Sequence, residues 1–353
     1  MKPITVLVVD DSALIRQMFR DMLSSEPDIE VVDTACDPLD AREKIKRLNP
    51  DVLTLDIEMP KMDGLSFLEK IMSLRPMPVI MASSLTQRGA DETIRALEIG
   101  AFDTIGKPVS NQTKDTIGAL KDQLVSKVRA ASKANITARR NTASNVIPLV
   151  IPFHPQPGAR NIIAIGSSTG GVEALREIFV RLPKNIPPIV VTQHMPESFT
   201  RSFAARLDSL SQVTVEEATN HMRLKPGHAY IAPGGNAHFK VIKIGADYVC
   251  KLEEGATVSG HRPSVDVLFH SVAEAAGARA VGVILTGMGR DGAEGMRAMR
   301  DKGAHNIGQN QASCVVYGMP HMALKSGAVH SELPLLDIPA AMLKSCEKKE
   351  PAQ

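Results

Sequence analysis

The sequence predicts two α/β domains in tandem: a doubly wound, five-stranded parallel domain, then a larger α/β domain with a mainly parallel sheet. Three observations predict this. From residue 4 to about 126, short apolar runs alternate with helix-period segments, the pattern of a βα repeat with both sheet faces covered. A polar, acid-free stretch then breaks the pattern, and a second alternation of the same kind begins at Asn161. At 353 residues the chain has room for two full cores, since one domain takes roughly 100–200 residues.

In the first half the spacing predicts strands over residues 5–9, 30–34, 52–56, 79–82 and 102–105. Ile15, Met18, Phe19, Met22 and Leu23 keep the i, i+3, i+4, i+7 spacing of a helix that buries one face. Ile117, Leu120, Leu124 and Val128 repeat that spacing at the far end, which completes five βα units. No acidic residue occurs between Asp122 and Glu173, while Lys127, Arg129, Lys133, Arg139, Arg140 and Arg160 supply positive charge. This composition marks a linker, read either as a solvated tether or as a basic docking segment for an acidic surface. The resulting division is a first domain over 1–126, a linker over 127–159, a second domain over 160–346 and a polar tail over 347–353.

The second half reads as a strand at 161–165, a helix at 172–182, a strand at 189–193 and a helix at 199–210. A turn-rich stretch with corners at Lys225-Pro226-Gly227 and Pro233-Gly234-Gly235 follows. The pattern returns with a helix near 264–276, a buried strand at 280–285 and a helix after Asp291.

Composition narrows the function classes. A formal net charge of +2 gives no polyelectrolyte character of the kind nucleic acid selects, and the second half shows no basic recognition helix. The opening apolar run, Ile4 to Val9, stops at two aspartates and is too short for a signal peptide or a span of about 20 residues. Cys36, Cys250, Cys314 and Cys346 are widely spaced without a CxxC, so neither zinc nor a disulfide framework is indicated, and a reducing cytoplasm fits.

Carboxyl ends of strands converge in a doubly wound sheet, so Asp10, Asp11 and Asp56 are expected to meet at one crevice. Three carboxylates in a small volume call for a hard divalent cation, and Mg²⁺ suits an all-oxygen site. Lys107, after the fifth strand, would reach the same edge, and Ser83 and Ser84 end the fourth. Residues 1 to about 126 thus resemble a response-regulator receiver domain, on Val8-Val9-Asp10-Asp11-Ser12, Leu55-Asp56-Ile57-Glu58-Met59-Pro60-Lys61-Met62-Asp63-Gly64, Ser83-Ser84 and Lys107-Pro108. The resemblance implies phosphorylation at Asp56 and Mg²⁺ held by Asp10, Asp11, Asp56 and the Glu58 backbone carbonyl. It further implies Ser83 as the switch hydroxyl, Lys107 on the phosphoryl group and a cis bond between Lys107 and Pro108. Thr104 stands where many receivers carry an aromatic switch residue.

Gly166-Ser167-Ser168-Thr169-Gly170-Gly171 sits at a strand-to-helix turn. Such a turn either cradles a phosphate or exposes a serine hydroxyl. The spacing is not GxGxxG, and the next strand ends in Gln193-His194 rather than in an acid for a ribose. A serine nucleophile needs a base and the base an orienting carboxylate, and His194 and Asp291 each follow a strand on what would be the same edge.

Residues 160 to about 346 resemble the catalytic domain of the chemotaxis protein-glutamate methylesterases, the CheB family. The match rests on Ile165 to Gly171, on Gln193-His194-Met195-Pro196, on His261-Arg262-Pro263-Ser264-Val265-Asp266-Val267-Leu268-Phe269 and on Leu285 to Ala293. It implies a Rossmann-like catalytic domain in which Ser168 is the nucleophile, His194 the base and then acid, and Asp291 the group that fixes the imidazole. Met288 would give the oxyanion N–H, with Thr169 lining the pocket and the Ser167 hydroxyl dispensable.

The implied substrate is a glutamyl methyl ester on a chemoreceptor's cytoplasmic helices, with methanol as product and glutamine deamidation as a companion reaction. Ester hydrolysis would need no cofactor. The implied phosphodonor is the chemotaxis histidine kinase, with the unphosphorylated receiver covering the cleft. No nucleic acid and no membrane insertion are expected, and the location is cytoplasmic, at receptor arrays.

Overall fold

The computed structural model describes residues 2–59, 62–84, 87–108, 114–134, 150–154 and 161–347. Pro60 and Lys61, most of the predicted linker with Arg139, Arg140 and Arg160, and the tail from 348 lie outside the described residues. The chain divides into two compact units, Met1–Arg140 and Asn141–Gln353.

In the first unit β1 (Ile4–Val9), β2 (Ile29–Ala35), β3 (Val52–Asp56), β4 (Val79–Ser83) and β5 (Asp103–Gly106) form one sheet in the order β2-β1-β3-β4-β5. Every pair is parallel. Each residue of β3 and β4 is buried, as expected of central strands covered on both faces. Between the strands run α1 (Ala13–Ser24), α2 (Pro38–Leu48), α3 (Gly64–Leu74) and α4 (Gln87–Ile99). Ser12, Asp37 and Asp63 cap α1, α2 and α3 by accepting N–H bonds of the first turn. The final helix, α5 (Lys114–Ala131), passes residue 126 because Val128 and Ala131 continue its buried face with Leu124 and Val125.

The second unit is built on a seven-stranded sheet in the order β14-β13-β12-β6-β7-β9-β8, all pairs parallel. Its strands are β6 (Ile162–Ser167), β7 (Ile189–Gln193), β8 (Thr214–Glu217), β9 (His228–Ile231), β12 (Ala280–Ile284), β13 (His305–Gln309) and β14 (Ser331–Leu333). β10 (Ala237–Ile244) and β11 (Asp247–Glu254) pair as a separate antiparallel hairpin. The helices are α6 (Gly171–Phe179), α7 (Glu197–Leu210), α8 (Val265–Ala276), α9 (Ala293–Asp301), α10 (Met319–Lys325) and α11 (Ile338–Glu347). α6 ends before residue 182 because Arg181 and Leu182 tighten into i→i−3 bonds ahead of Pro183. β6 lies between β12 and β7, where the strand order reverses direction, the position at which an open α/β sheet leaves a crevice beyond its carboxyl ends.

Candidate phosphoacceptor and hydrolytic sites

Asp10 follows β1 and Asp56 ends β3, and these strands are neighbours at the point where the first sheet's order reverses. One carboxylate oxygen from each of Asp10, Asp11 and Asp56 lies within 4.8 Å of the others. Lys107 Nζ sits 2.7 Å from Asp56 Oδ1 and 2.9 Å from Asp10 Oδ2. Asp56 Oδ1 also accepts the Glu58 N–H at 3.2 Å, while Asp56 Oδ2 is buried without a hydrogen-bond partner. Burial, and after it the neighbouring Asp10 charge, pushes the Asp56 carboxyl up to about 6 despite Lys107. Burial also raises Asp10. An all-oxygen set with an orphan acceptor and residual negative charge fits a hard divalent cation.

That shift carries a sign. A carboxyl whose folded pKa lies above its ordinary 3.8 subtracts stability above about pH 6, and the penalty shrinks as pH falls from about 6 toward 3.8. Asp56→Asn is therefore expected to stabilise the chelator-treated protein at neutral pH by about 1–3 kcal/mol, an advantage that diminishes toward pH 4. Urea midpoints at the two ends of that range check it, and a lower midpoint for the variant at neutral pH would contradict the electrostatic account.

Ser83 ends β4, and its buried hydroxyl receives a hydrogen bond from Thr93 Oγ1 of α4 at 2.7 Å. Periodicity offers no signal for Thr93, whose role depends on which way the Ser83 rotamer turns. Thr104 lies on β5 opposite Met81. Among the described residues the cis peptide bond is Arg262–Pro263, so the Lys107–Pro108 bond is trans, contrary to expectation. X–Pro bonds retain a trans preference of about 0.5–1 kcal/mol, and with the trans bond Lys107 already spans both carboxylates.

In the second unit Ser168, His194 and Asp291 follow β6, β7 and β12, the three adjacent central strands. His194 Nε2 lies 2.8 Å from Asp291 Oδ2, across 97 residues of sequence. Asp291 is gripped by the start of α8: Oδ2 also accepts Val265 N–H at 2.8 Å, and Oδ1 accepts the Ser264 hydroxyl at 2.7 Å and Asp266 N–H at 3.0 Å. Burial alone would raise this carboxyl. His194 and the donors of the helix N-terminus outweigh it and hold the group below its ordinary value, ionised. Because Asp291 only accepts, Nε2 must carry the proton, which leaves the lone pair on Nδ1. That nitrogen is buried and has no hydrogen-bond partner.

Ser168 is half-buried, and its hydroxyl makes no hydrogen bond with the ring among the described residues. Its backbone is fixed, however. Gln193 Nε2 donates to Ser168 O at 2.9 Å and to His194 O at 3.1 Å, and Ser168 N–H donates to Thr286 O at 3.0 Å. Ser167 is fully buried, with its hydroxyl donating to Gln193 Oε1 at 2.6 Å. A Cβ on Gly166 would stand 2.2 Å from Val265 Cγ1, so glycine there lets the first turn of α8 descend onto the strand end. A Cβ on Gly287 would stand 2.8 Å from Ser168 Cβ, so the loop that continues into half-buried Met288 runs directly against the serine. Thr169 is buried, and Thr286 Oγ1 donates to its carbonyl at 3.0 Å, tying the loops after β6 and β12 together.

Sequence reasoning gave no role to Gln193, His261, Ser264 or Asp266, although each lies in a stretch that carried the resemblance. Asp266 is buried beside Asp291, accepts Gly295 N–H at 2.8 Å, and is raised by burial and by the Asp291 charge. His261 stacks on the His194 ring.

Comparison with known proteins agrees with this architecture. Residues 163–342 match the family model described as CheB methylesterase, and residues 6–116 match that of the response regulator receiver domain. The protein-glutamate methylesterase/protein-glutamine glutaminase 2 of Bordetella avium is 53% identical over 335 residues, 95% of each chain. The protein-glutamate methylesterase/protein-glutamine glutaminase of Nitrosomonas europaea is 51% identical over 347 residues, covering 97% of this chain and 96% of its own. The crystal structure of the Thermotoga maritima CheB methylesterase catalytic domain, 40% identical, superposes with a TM-score of 0.51 over 52% of this chain and 97% of its own. With a family model over its second half, a receiver model over its first and such relatives along nearly its whole length, the chain belongs to the CheB methylesterase family.

Proposed function

We propose that this protein is a phosphorylation-activated hydrolase that demethylates glutamyl methyl esters, and deamidates glutamines, on the cytoplasmic domains of chemoreceptors. The observation that carries the chemistry is the His194–Asp291 pair, with Nδ1 unpartnered and the Ser168 backbone fixed beside it. His194 Nδ1 removes the Ser168 proton as Oγ attacks the ester carbonyl, and Asp291 stabilises the imidazolium that forms. The Met288 N–H holds the oxyanion, with Thr169 lining the same pocket. Collapse breaks the C–OCH₃ bond, His194 returns the proton, and methanol leaves. Water, deprotonated by His194, then opens the acyl-serine to free glutamate. For glutamine the leaving group is ammonia, and the reaction depends more on His194 as an acid.

In the first unit, Asp56 is the phosphoacceptor, and Asp10, Asp11, Asp56 and the Glu58 carbonyl are the residues that would hold Mg²⁺. Bound there, the ion supplies charge neutralisation for an incoming phosphoryl group. Lys107 pairs with the phosphoryl oxygens, and Ser83 exchanges its Thr93 contact for them. The phosphodonor is a chemotaxis histidine kinase, and the protein works in the cytoplasm at receptor arrays. No helix among the described residues is long and apolar enough to cross a membrane.

The test is methanol release from methylated receptor membranes with and without acetyl phosphate and Mg²⁺. Release is expected in both arms and to be faster with the phosphodonor, and Asp56→Asn is expected to lose the acceleration. Absence of methanol in both arms would remove the esterase reading, and equal rates would remove the regulatory one.

A further inference from the structure

We infer that His261 is a positioning residue for the hydrolytic reaction: its ring, stacked on His194, sets the plane of the catalytic imidazole and so the direction of Nδ1. The inference rests on the hydrolase reading above. The two rings lie 3.6 Å apart between centroids and 8° from parallel, at van der Waals contact over the whole face. The Nε2 bond to Asp291 fixes one point of the His194 ring but leaves it able to swing about that bond. Nδ1, the edge that must meet the serine proton, has no hydrogen-bond partner to stop the swing. A flat group against the ring face removes that freedom.

The backbone that carries His261 is built to hold it. Val258 and His261 exchange both N–H···O bonds, at 3.0 and 2.9 Å, around the two-residue turn Ser259-Gly260. Both turn residues have positive φ, 53° and 81°, the geometry of a tight I′ connection and one that a serine adopts only under constraint. Arg262 then anchors the segment through Gly235 O at 2.8 Å, Gly255 O at 2.6 Å and Asn236 Oδ1 at 2.9 Å. Two residues on, Ser264 opens α8 and grips Asp291. One segment therefore holds the carboxylate by hydrogen bonds and the imidazole by its face, which couples the orientation of the two partners.

The experiment uses the full chain and methanol release from a helical peptide bearing a glutamate γ-methyl ester. His261→Ala and His261→Asn are expected to lower kcat by roughly 10- to 100-fold with KM changed less than about twofold, whereas His261→Phe, which restores a ring face, is expected to stay within about threefold of the parent. A merely structural side chain would not separate Phe from Asn in kcat at equal thermal midpoints. Should the alanine variant fail to fold, the Phe and Asn pair decides alone. An unchanged kcat in His261→Asn, or His261→Phe as slow as His261→Asn, overturns the proposal. Ser168→Ala runs alongside: activity there sinks the hydrolase reading itself, a result distinguishable from failure of the stack.

Discussion

Ser168→Ala is expected to reduce methanol release by about 10³- to 10⁶-fold, leaving only what the oxyanion donors and binding supply. Ser167→Ala is expected to leave most of the activity. The two hydroxyls are adjacent in sequence but differ in surroundings. Ser167 is fully buried on β6 and committed to Gln193 Oε1 at 2.6 Å, whereas Ser168 is half-buried at the strand-to-helix turn. Removing the Ser167 hydroxyl leaves a buried amide oxygen without its donor, a stability loss of about 1 kcal/mol that lowers the thermal midpoint rather than kcat. Steady-state methanol release and a thermal melt on the two variants separate these effects. The reverse pattern, with Ser167→Ala dead and Ser168→Ala active, would move the nucleophile.

Asp291→Asn is expected to lower kcat by about 10³- to 10⁴-fold while substrate binding is largely retained. Both carboxylate oxygens accept two hydrogen bonds, so an amide fails in either orientation. With its NH₂ toward His194, it faces the Val265 N–H and forces the lone pair onto Nε2, which places the proton on Nδ1 and removes the base. With its NH₂ toward Asp266, the tautomer survives, but a backbone N–H of the first turn of α8 is left unpaired and the charge that stabilises the imidazolium is gone. The unpaired group adds a stability loss of about 1–3 kcal/mol. Retention of more than about a tenth of kcat would mean that Asp291 serves the helix cap rather than the reaction.

Much of this was legible before any coordinates. Strand and helix periods located β1 to β5, β6, β7 and β12 to within a residue or two, because a buried parallel strand is a short apolar run and its end is marked where polar residues resume. From those ends, the rule that parallel strands present their carboxyl termini to one crevice was enough to group Asp10 with Asp56, and His194 with Asp291. The pattern was silent on β13, which reads His305-Asn306-Ile307-Gly308-Gln309 and carries too few apolar residues to register as a strand. It also overran α6, since helix ends follow capping and a following proline more than the apolar period.

What the polypeptide order determined by itself was the pair of parallel sheets and the identity of the polar residues at their strand ends, because both follow from local periodicity and a fixed topological rule. Only the tertiary structure decided what those residues touch: the His261 ring on His194, the α8 N-terminus around Asp291, Gln193 beneath Ser168, and Thr93 on the Ser83 hydroxyl. These contacts join residues ten or more positions apart through particular rotamers, and rotamers are selected by the packing of the completed core, which no local pattern contains.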